Sequence, residues 1–290
     1  MKRKLSALTA ILLLFSLNIC GCQKDNSNTS GSSSANEAEE TAALSIHHFN
    51  AGKADACIIS EGEHYVMIDT GESTLSDELI SYFSENNINS LDYLIITHFD
   101  KDHVGSASTV IEQLDVENVL QSNVPKSSEY YDNYLTALDE KNITPVTVSG
   151  NYEFELGDMS FNVNGPDIVY DSNESNNSSL ITSLYFGDSS FIFMGDAQND
   201  RLKDFISVNT TKYDYVKIPY HGNYQKKLDN LLENIEPVYA VITSSEEEPE
   251  REEMLEILND MGIKYYLTRE GAIDVTSDGK TMKNFQETTN

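Results

Sequence analysis

Four side chains with metal-ligating chemistry fall within six positions: His98, Asp100, Asp102 and His103, in the stretch DYLIITHFDKDHVG at 92–105. Imidazole nitrogens and carboxylate oxygens are the donors that zinc and manganese take from proteins. His98 and Asp100 are two apart, so on an extended backbone they point the same way. Asp102 and His103 are adjacent and cannot both join that pair, but a turn would aim them at a second point nearby. One loop could then feed two neighbouring ions. A helix-capping loop needs only one Asp or Asn; it does not call for two His and two Asp packed this closely.

Such donors need a rigid mount. The run at 93–96 is short, apolar and β-branched, the pattern of a buried strand, and Gly105 and a helix-like segment at 107–114 follow. This order places the donors at the carboxyl end of a strand, where open α/β sheets bind ligands. Three more expected strands end in similar signals. They are 64–69 with Asp69-Thr70-Gly71, 190–194 with Gly195-Asp196, and 215–219 with Tyr220-His221-Gly222. Further strands are expected at 44–49, 56–60, around 119–120, 144–148, 152–156, 159–164, 180–186, 238–243 and 264–268. Helices are expected at 75–86, 127–141, 200–208 and 251–261, an Asn/Ser loop at 171–179, and a closing hairpin from 273 with a turn at Ser277-Asp278-Gly279.

The bulk numbers narrow the chemistry. The chain has 290 residues and 39% hydrophobic content, enough for a real core. It carries 19 basic and 48 acidic residues, a net charge of -29. That balance opposes passive attraction to nucleic acid or an anionic membrane. A polyanionic substrate would need local positive charge, which bound metal ions supply. Of the cysteines Cys20, Cys22 and Cys57, only the last falls in the globular part, so no disulfide is expected there. Cys57 sits in an apolar run and reads as a buried structural thiol. His47, His48 and His64 lie within expected strands and read as structural or surface residues. Tyr130, Tyr131 and Tyr134 read as helix packing, and the acidic run at 246–253 as a solvated loop and helix start.

The amino-terminal end reads as an address. Lys2, Arg3 and Lys4 precede an apolar stretch at 5–19 that is too short for a comfortable membrane span. It ends in Ile19-Cys20-Gly21-Cys22, which resembles a bacterial lipoprotein signal with Cys22 as the lipidated residue. Residues 1–21 are then the signal peptide, 22–43 a flexible linker rich in Ser, Asn, Gly and Glu, and 44–290 the folded domain. The expected location is the cell membrane, lipid-anchored, on the extracytoplasmic side.

Taken together, the strand-end signals resemble the metallo-β-lactamase superfamily, whose signature is His-x-His-x-Asp-His followed by a bridging Asp and a final His. More narrowly, the chain is similar to the extracellular hydrolase domain of ComEC-type competence proteins over about 45–279. The residues that carry this are His48-Phe49-Asn50-Ala51-Gly52-Lys53-Ala54-Asp55-Ala56, Asn177-Ser178-Ser179-Leu180, Gly195-Asp196-Ala197 and Ile218-Pro219-Tyr220-His221-Gly222. The resemblance implies an α/β fold, the αβ/βα sandwich of two mixed sheets with outer helices. It implies two divalent ions, His98, Asp100 and Asp196 on one, and Asp102, His103, Asp196 and His221 on the other. Asp196 bridges them, and Asp102 and His221 are the catalytic residues.

Three departures stand out. Asp100 replaces the second His of the signature, no His precedes the bridging Asp on a strand, and Tyr220 replaces a second His beside His221. Asn177 or water fills the vacant ligand position, and Asp69 and Tyr220 support a ligand or the substrate. Zinc is the default metal with three His, and manganese the alternative, because Asp100 makes the site richer in oxygen and less positive. The implied activity is hydrolysis by a metal-activated water, on a phosphodiester, DNA included. The alternatives are a phosphorylcholine-type or other small ester, or a non-catalytic surface-binding lipoprotein. No protein partner is implied.

Overall fold

The computed structural model describes residues 43–286. The expected signal segment 1–21, the lipidation position Cys22 and the linker up to residue 42 lie outside the described residues. The first half of the domain holds strands β1 (Leu44–His48), β2 (Ala56–Glu61), β3 (His64–Thr70), β4 (Ser90–Ile96), β5 (Asp115–Gln121) and β6 (Val146–Thr147). Its helices are α1 (Ser76–Glu85), α2 (Lys101–Val104), α3 (Ala107–Gln113) and α4 (Glu129–Glu140). The second half holds β7 (Gly150–Leu156), β8 (Met159–Gly165), β9 (Ile181–Phe186), β10 (Ser189–Phe193), β11 (Tyr215–Lys217), β12 (Tyr239–Ile242) and β13 (Lys264–Leu267). Helices α5 (Asn199–Val208), α6 (Leu228–Ile235) and α7 (Glu252–Asp260) accompany it, and the hairpin β14 (Ile273–Ser277) and β15 (Met282–Gln286) closes the fold.

The strands form two mixed sheets, in the orders β15-β14-β1-β2-β3-β4-β5-β6 and β13-β12-β11-β10-β9-β8-β7. The central strands are continuous apolar runs because both their faces are covered. Cys57, Ile59, Val66, Ile68 and Ile95 face a core shared with Phe161, Leu184, Phe191, Phe193, Tyr215 and Val241 of the other sheet. The alternate residues Ile58, Met67, Leu94 and Ile96 pack with Leu79, Phe83, Val110, Ile111 and Leu138 of the outer helices. Ile192, Val216, Ala240 and Ile242 do the same with Leu202, Leu231, Ile235, Met254 and Leu258. Period-two alternation between two apolar environments is what makes an αβ/βα sandwich, and the implied fold class is the one found.

Strands β3 to β6 run parallel, as do β10 to β13. Their carboxyl ends deliver the loops that carry the candidate donors. Two helices had no counterpart in the sequence expectations: the single turn α2, in the stretch expected as a loop, and α6, whose Leu228, Leu231, Leu232 and Ile235 are all buried. Their spacing is the amphipathic one. The Asn/Ser segment expected as a loop forms tight 3-10 turns over Ser172–Ser178.

Candidate metal centre

Asp102 and His103 on α2, Asp196 beyond β10 and His221 beyond β11 each offer one ligand atom, all within 4.8 Å of one another. His103 Nε2 lies 3.4 Å from Asp196 Oδ1. His221 Nε2 lies 3.3 Å from Asp196 Oδ2 and 3.4 Å from Asp102 Oδ2. His98 Nε2, His103 Nε2, His221 Nε2 and Asp196 Oδ1 are buried and make no hydrogen bond. Buried polar atoms ordinarily have partners; of these four residues, His103, His221 and Asp196 belong to the cluster that could hold an ion, and His98 does not. The spacing fits as well. Ligands on a tetrahedral zinc with bonds of about 2.0–2.1 Å stand about 3.3–3.4 Å apart, which is the separation of these three pairs.

The backbone is strained where it delivers the donors. Asp69, Tyr220 and His221 have φ of 54°, 53° and 52°, in the left-handed region that costs a non-glycine residue about 1–3 kcal/mol. Tyr220 and His221 belong to the turn Pro219–Gly222, which turns the chain out of β11 and presents His221. Gly195, at φ 50°, has a different task. A Cβ there would come within 3.0 Å of Thr97 and 3.1 Å of Ser179, so its absence lets the Asp196 loop close on the His98 loop.

Each imidazole is oriented from behind, as metal-bound His usually is. His103 Nδ1 donates to Asp69 Oδ2 at 2.8 Å, and Asp69 is itself held by the Thr97 amide and hydroxyl at 2.8 and 2.6 Å. His221 Nδ1 donates to Thr243 Oγ1 at 3.0 Å, and that hydroxyl donates to Asp55 Oδ1 at 2.6 Å. His98 Nδ1 faces Thr97 Oγ1 at 3.2 Å and Ser179 Oγ at 3.4 Å. These bonds put each ring proton on Nδ1 and leave Nε2 to face the centre. Asp55 is anchored by the buried Lys217 ammonium, which also donates to Gly195 O at 3.2 Å. Asp55, Asp69, Thr243 and Lys217 line an internal cavity with His48 and Cys57.

The electrostatics follow from this crowding. Burial opposes charge on His103 and His221, but Asp196 and its neighbours outweigh it. His103 is raised well above its ordinary value and His221 to about 9. Asp196 would rise by burial, yet His221 and His103 hold it well below the carboxylate range. Asp102 is held low in the same way, against burial, by His221 and His103. Without an ion, the imidazolium protons balance the carboxylates; a dication would take their place and release them. His98 is different, since burial and then His103 push it below its ordinary value. Its ring is neutral and available as a ligand.

The other expected site residues are placed as follows. Asp100 is not in the convergent set; its Oδ1 accepts from Lys126 Nζ at 2.5 Å and Ser175 Oγ at 2.7 Å. Asn177 Oδ1 accepts from the Arg201 amide at 3.3 Å, at the start of α5. Tyr220 is half-buried beside His221. Asp55, Thr243, Lys217, Lys126 and Ser175 carried no expected role. Two of them had a signal. Asp55 is the acidic residue of the motif that runs from His48 to Ala56, and Lys217 interrupts the apolar run Tyr215-Val216-Lys217-Ile218.

Comparison with known proteins agrees with this geometry. The family model of the Metallo-beta-lactamase superfamily matches residues 51–244. The chain is 27% identical over 170 residues to ComE operon protein 3 of Bacillus subtilis, covering 57% of this chain and 21% of that protein. It is 24% identical over 209 residues to Recombination protein 2 of Haemophilus influenzae, covering 70% and 24%. It thus spans less than a quarter of the length of these curated relatives. Among solved structures, the metallo-beta-lactamase fold protein YhfI of Bacillus subtilis matches with a TM-score of 0.53 at 9% identity, over 78% of this chain and 96% of that one. CmlA, a diiron beta-hydroxylase from Streptomyces venezuelae, matches with a TM-score of 0.50 at 12% identity, over 86% and 55%. At such identities the structural likeness speaks for the fold alone. The sequence resemblance holds: with a family match across 51–244 and a cluster of metal-ligand types at the strand ends, the chain belongs to the metallo-β-lactamase superfamily of hydrolases.

Proposed function

We propose that this chain is a metal-dependent phosphodiesterase that works on the outer side of a cell membrane. The observation that carries the reading is the convergence of Asp102, His103, Asp196 and His221 on one point, with buried, unpartnered ligand atoms. A divalent ion held there supplies a water of lowered pKa and a positive charge for a phosphoryl oxygen. Zinc is the first candidate for a set with two or three imidazoles, and manganese the second. The chain's own residues do the rest. Asp69, and Thr243 with Asp55, keep the imidazole protons on the outer nitrogens. Asp196 lies buried between the inner nitrogens of His103 and His221. Asp102 is the most exposed of the four, with 23% of its side chain open, so its carboxylate orients an incoming water and accepts its proton. His221 joins Asp102 to Asp196.

Phosphodiesters are favoured over carboxylic esters by the relatives, one of which is named for recombination. DNA is therefore the first substrate to test. The excess of 48 acidic over 19 basic residues opposes long polyanions and favours a small phosphodiester as the second. The test strips the protein with a chelator, restores zinc or manganese, and follows both a linear DNA and a chromogenic phosphodiester. Cleavage of DNA should weaken steeply with salt and that of the small ester hardly at all. No cleavage of either with either metal refutes the reading.

The location rests on Cys22. A diacyl modification there, followed by the segment 23–43 as a tether, would hold the domain at the membrane; one acyl chain alone binds only marginally. Cys22→Ser protein should leave the membrane fraction, and its retention there after signal cleavage would refute the anchor.

A further inference from the structure

We infer that Lys126 is the second cation of this centre, and that the His98 side holds no second metal ion. The family signature implies an ion shared by His98 and Asp100, but the Asp100 oxygen nearest His98 that the structure records, Oδ1, is already occupied. It accepts from Lys126 Nζ at 2.5 Å and from Ser175 Oγ at 2.7 Å. Lys126 also reaches Ser175 Oγ at 3.2 Å, which closes a triangle around that oxygen. Two donors use both lone pairs of a carboxylate oxygen. The same oxygen lies 3.9 Å from His98 Nε2, so the ammonium stands beside the position an ion on His98 and Asp100 would take. A dication there would meet a fixed like charge at close range.

Asp196 already belongs to the cluster of Asp102, His103 and His221, and two neutral donors that might complete such a site are engaged elsewhere. Asn177 Oδ1 accepts from the Arg201 amide, and Ser179 Oγ accepts from the Asp196 amide at 3.1 Å. Among the described residues, the clusters able to hold an ion are Asp102, His103, Asp196 and His221, and Asp55, Asp69 and His103. Neither includes His98 or Asp100. Among the carboxylates the family signature assigns to ions, the charges balance without a second ion. Asp102 and Asp196 balance one dication, and Asp100 balances Lys126.

Lys126 has more to offer than this balance. Its side chain is 30% exposed, on the loop between β5 and α4, and an ammonium has three donors. Asp100 and Ser175 take two. The other lysines nearby are paired with glutamates, Lys53 with Glu248 and Lys101 with Glu72, each at 2.7 Å. Resting on the phosphodiesterase reading, the third donor of Lys126 binds a non-bridging oxygen of the substrate phosphate, opposite the ion held by the imidazoles.

Metal content reads the first half without any activity. The full chain is dialysed against excess zinc or manganese and its ions are counted by mass spectrometry. One ion per chain is expected in the wild type and in Asp100→Asn, and less than one in His221→Ala. Two ions per wild-type chain, or loss of the ion in Asp100→Asn, overturns the inference and leaves the hydrolase reading standing. The second half is read by calorimetry with phenylphosphonate, which is bound and not cleaved. Lys126→Met should weaken it by about tenfold or more, the scale of a hydrogen bond to a charged group, with the ion count unchanged. Lys126→Arg should restore most of the affinity. Equal affinity in wild type and Lys126→Met overturns the role. A wild-type chain that holds one ion, binds the phosphonate through Lys126 and cleaves no phosphodiester refutes the proposed function instead.

Discussion

Lys217 is a lysine buried in the middle of a sheet, and removing its charge tests how the centre is held. It is 3% exposed, and it pairs with Asp55, which is 6% exposed. Lys217→Met keeps the apolar stem and strands the carboxylate. Removing one partner of a buried pair costs about 3–5 kcal/mol, because the remaining charge is uncompensated. Here the lower end applies to metal-free protein. His221 Nδ1 and His103 Nδ1 lie 3.5 and 3.8 Å from Asp55 oxygens, and their protons absorb part of the lost charge. At about 2–4 °C per kcal/mol for a domain of this size, about 3 kcal/mol lowers the melting temperature by about 6–12 °C. Asp55→Asn/Lys217→Met leaves no lone charge, so the double variant should be more stable than the sum of the singles by about 2 kcal/mol. Urea and thermal denaturation of the four proteins, metal-free, give the cycle. A Lys217→Met cost below about 1 kcal/mol, or strictly additive singles, would refute the idea that the pair is coupled.

Asp69→Asn removes the carboxylate that orients His103, and should weaken the centre's metal by about 10–100-fold in competition with a chromogenic chelator, with the fold intact; unchanged affinity rejects that role. Asp102→Asn should lower phosphodiester turnover by about a hundred- to ten-thousandfold, with circular dichroism as the folding control. A folded variant with wild-type turnover sinks Asp102 as the proton acceptor. His48 should make the fold sensitive to mild acid. Burial, against the attraction of Asp55, lowers it from 6.5 to about 3, and its Nε2 stands 2.6 Å from the Tyr215 hydroxyl. Between those two values the unfolded chain holds a proton that the folded one does not, so stability rises with pH there. It is complete above 6.5 and is lost as pH falls toward 3, by up to about 1.4 kcal/mol per pH unit. From pH 7 to 5 the wild type should lose about 2 kcal/mol more than His48→Gln in urea melts, and equal losses would show that His48 is not buried neutral.

The local part of this protein was written in its sequence. A strand that ends in four donors within six residues needs no distant partner to be recognised, because strand, loop and helix start are neighbours along the chain. The alternation that covers both faces of β3, β4 and β10 is equally local, and it carries the sandwich with it. Helix α6 was legible too, in the spacing of Leu228, Leu231, Leu232 and Ile235. What surrounds the donors was decided elsewhere. Asp100 is two residues from His98, and its spacing points to a shared ion. Its partner is set by Lys126, 26 positions on, and Ser175, 75 positions on. Asp55 meets Lys217 across 162 positions and Thr243 across 188. A carboxylate's role depends on which charge the fold brings beside it, and that is fixed when distant strands pair, as β4 and β5 do, and when the two sheets close face to face, not when single strands form.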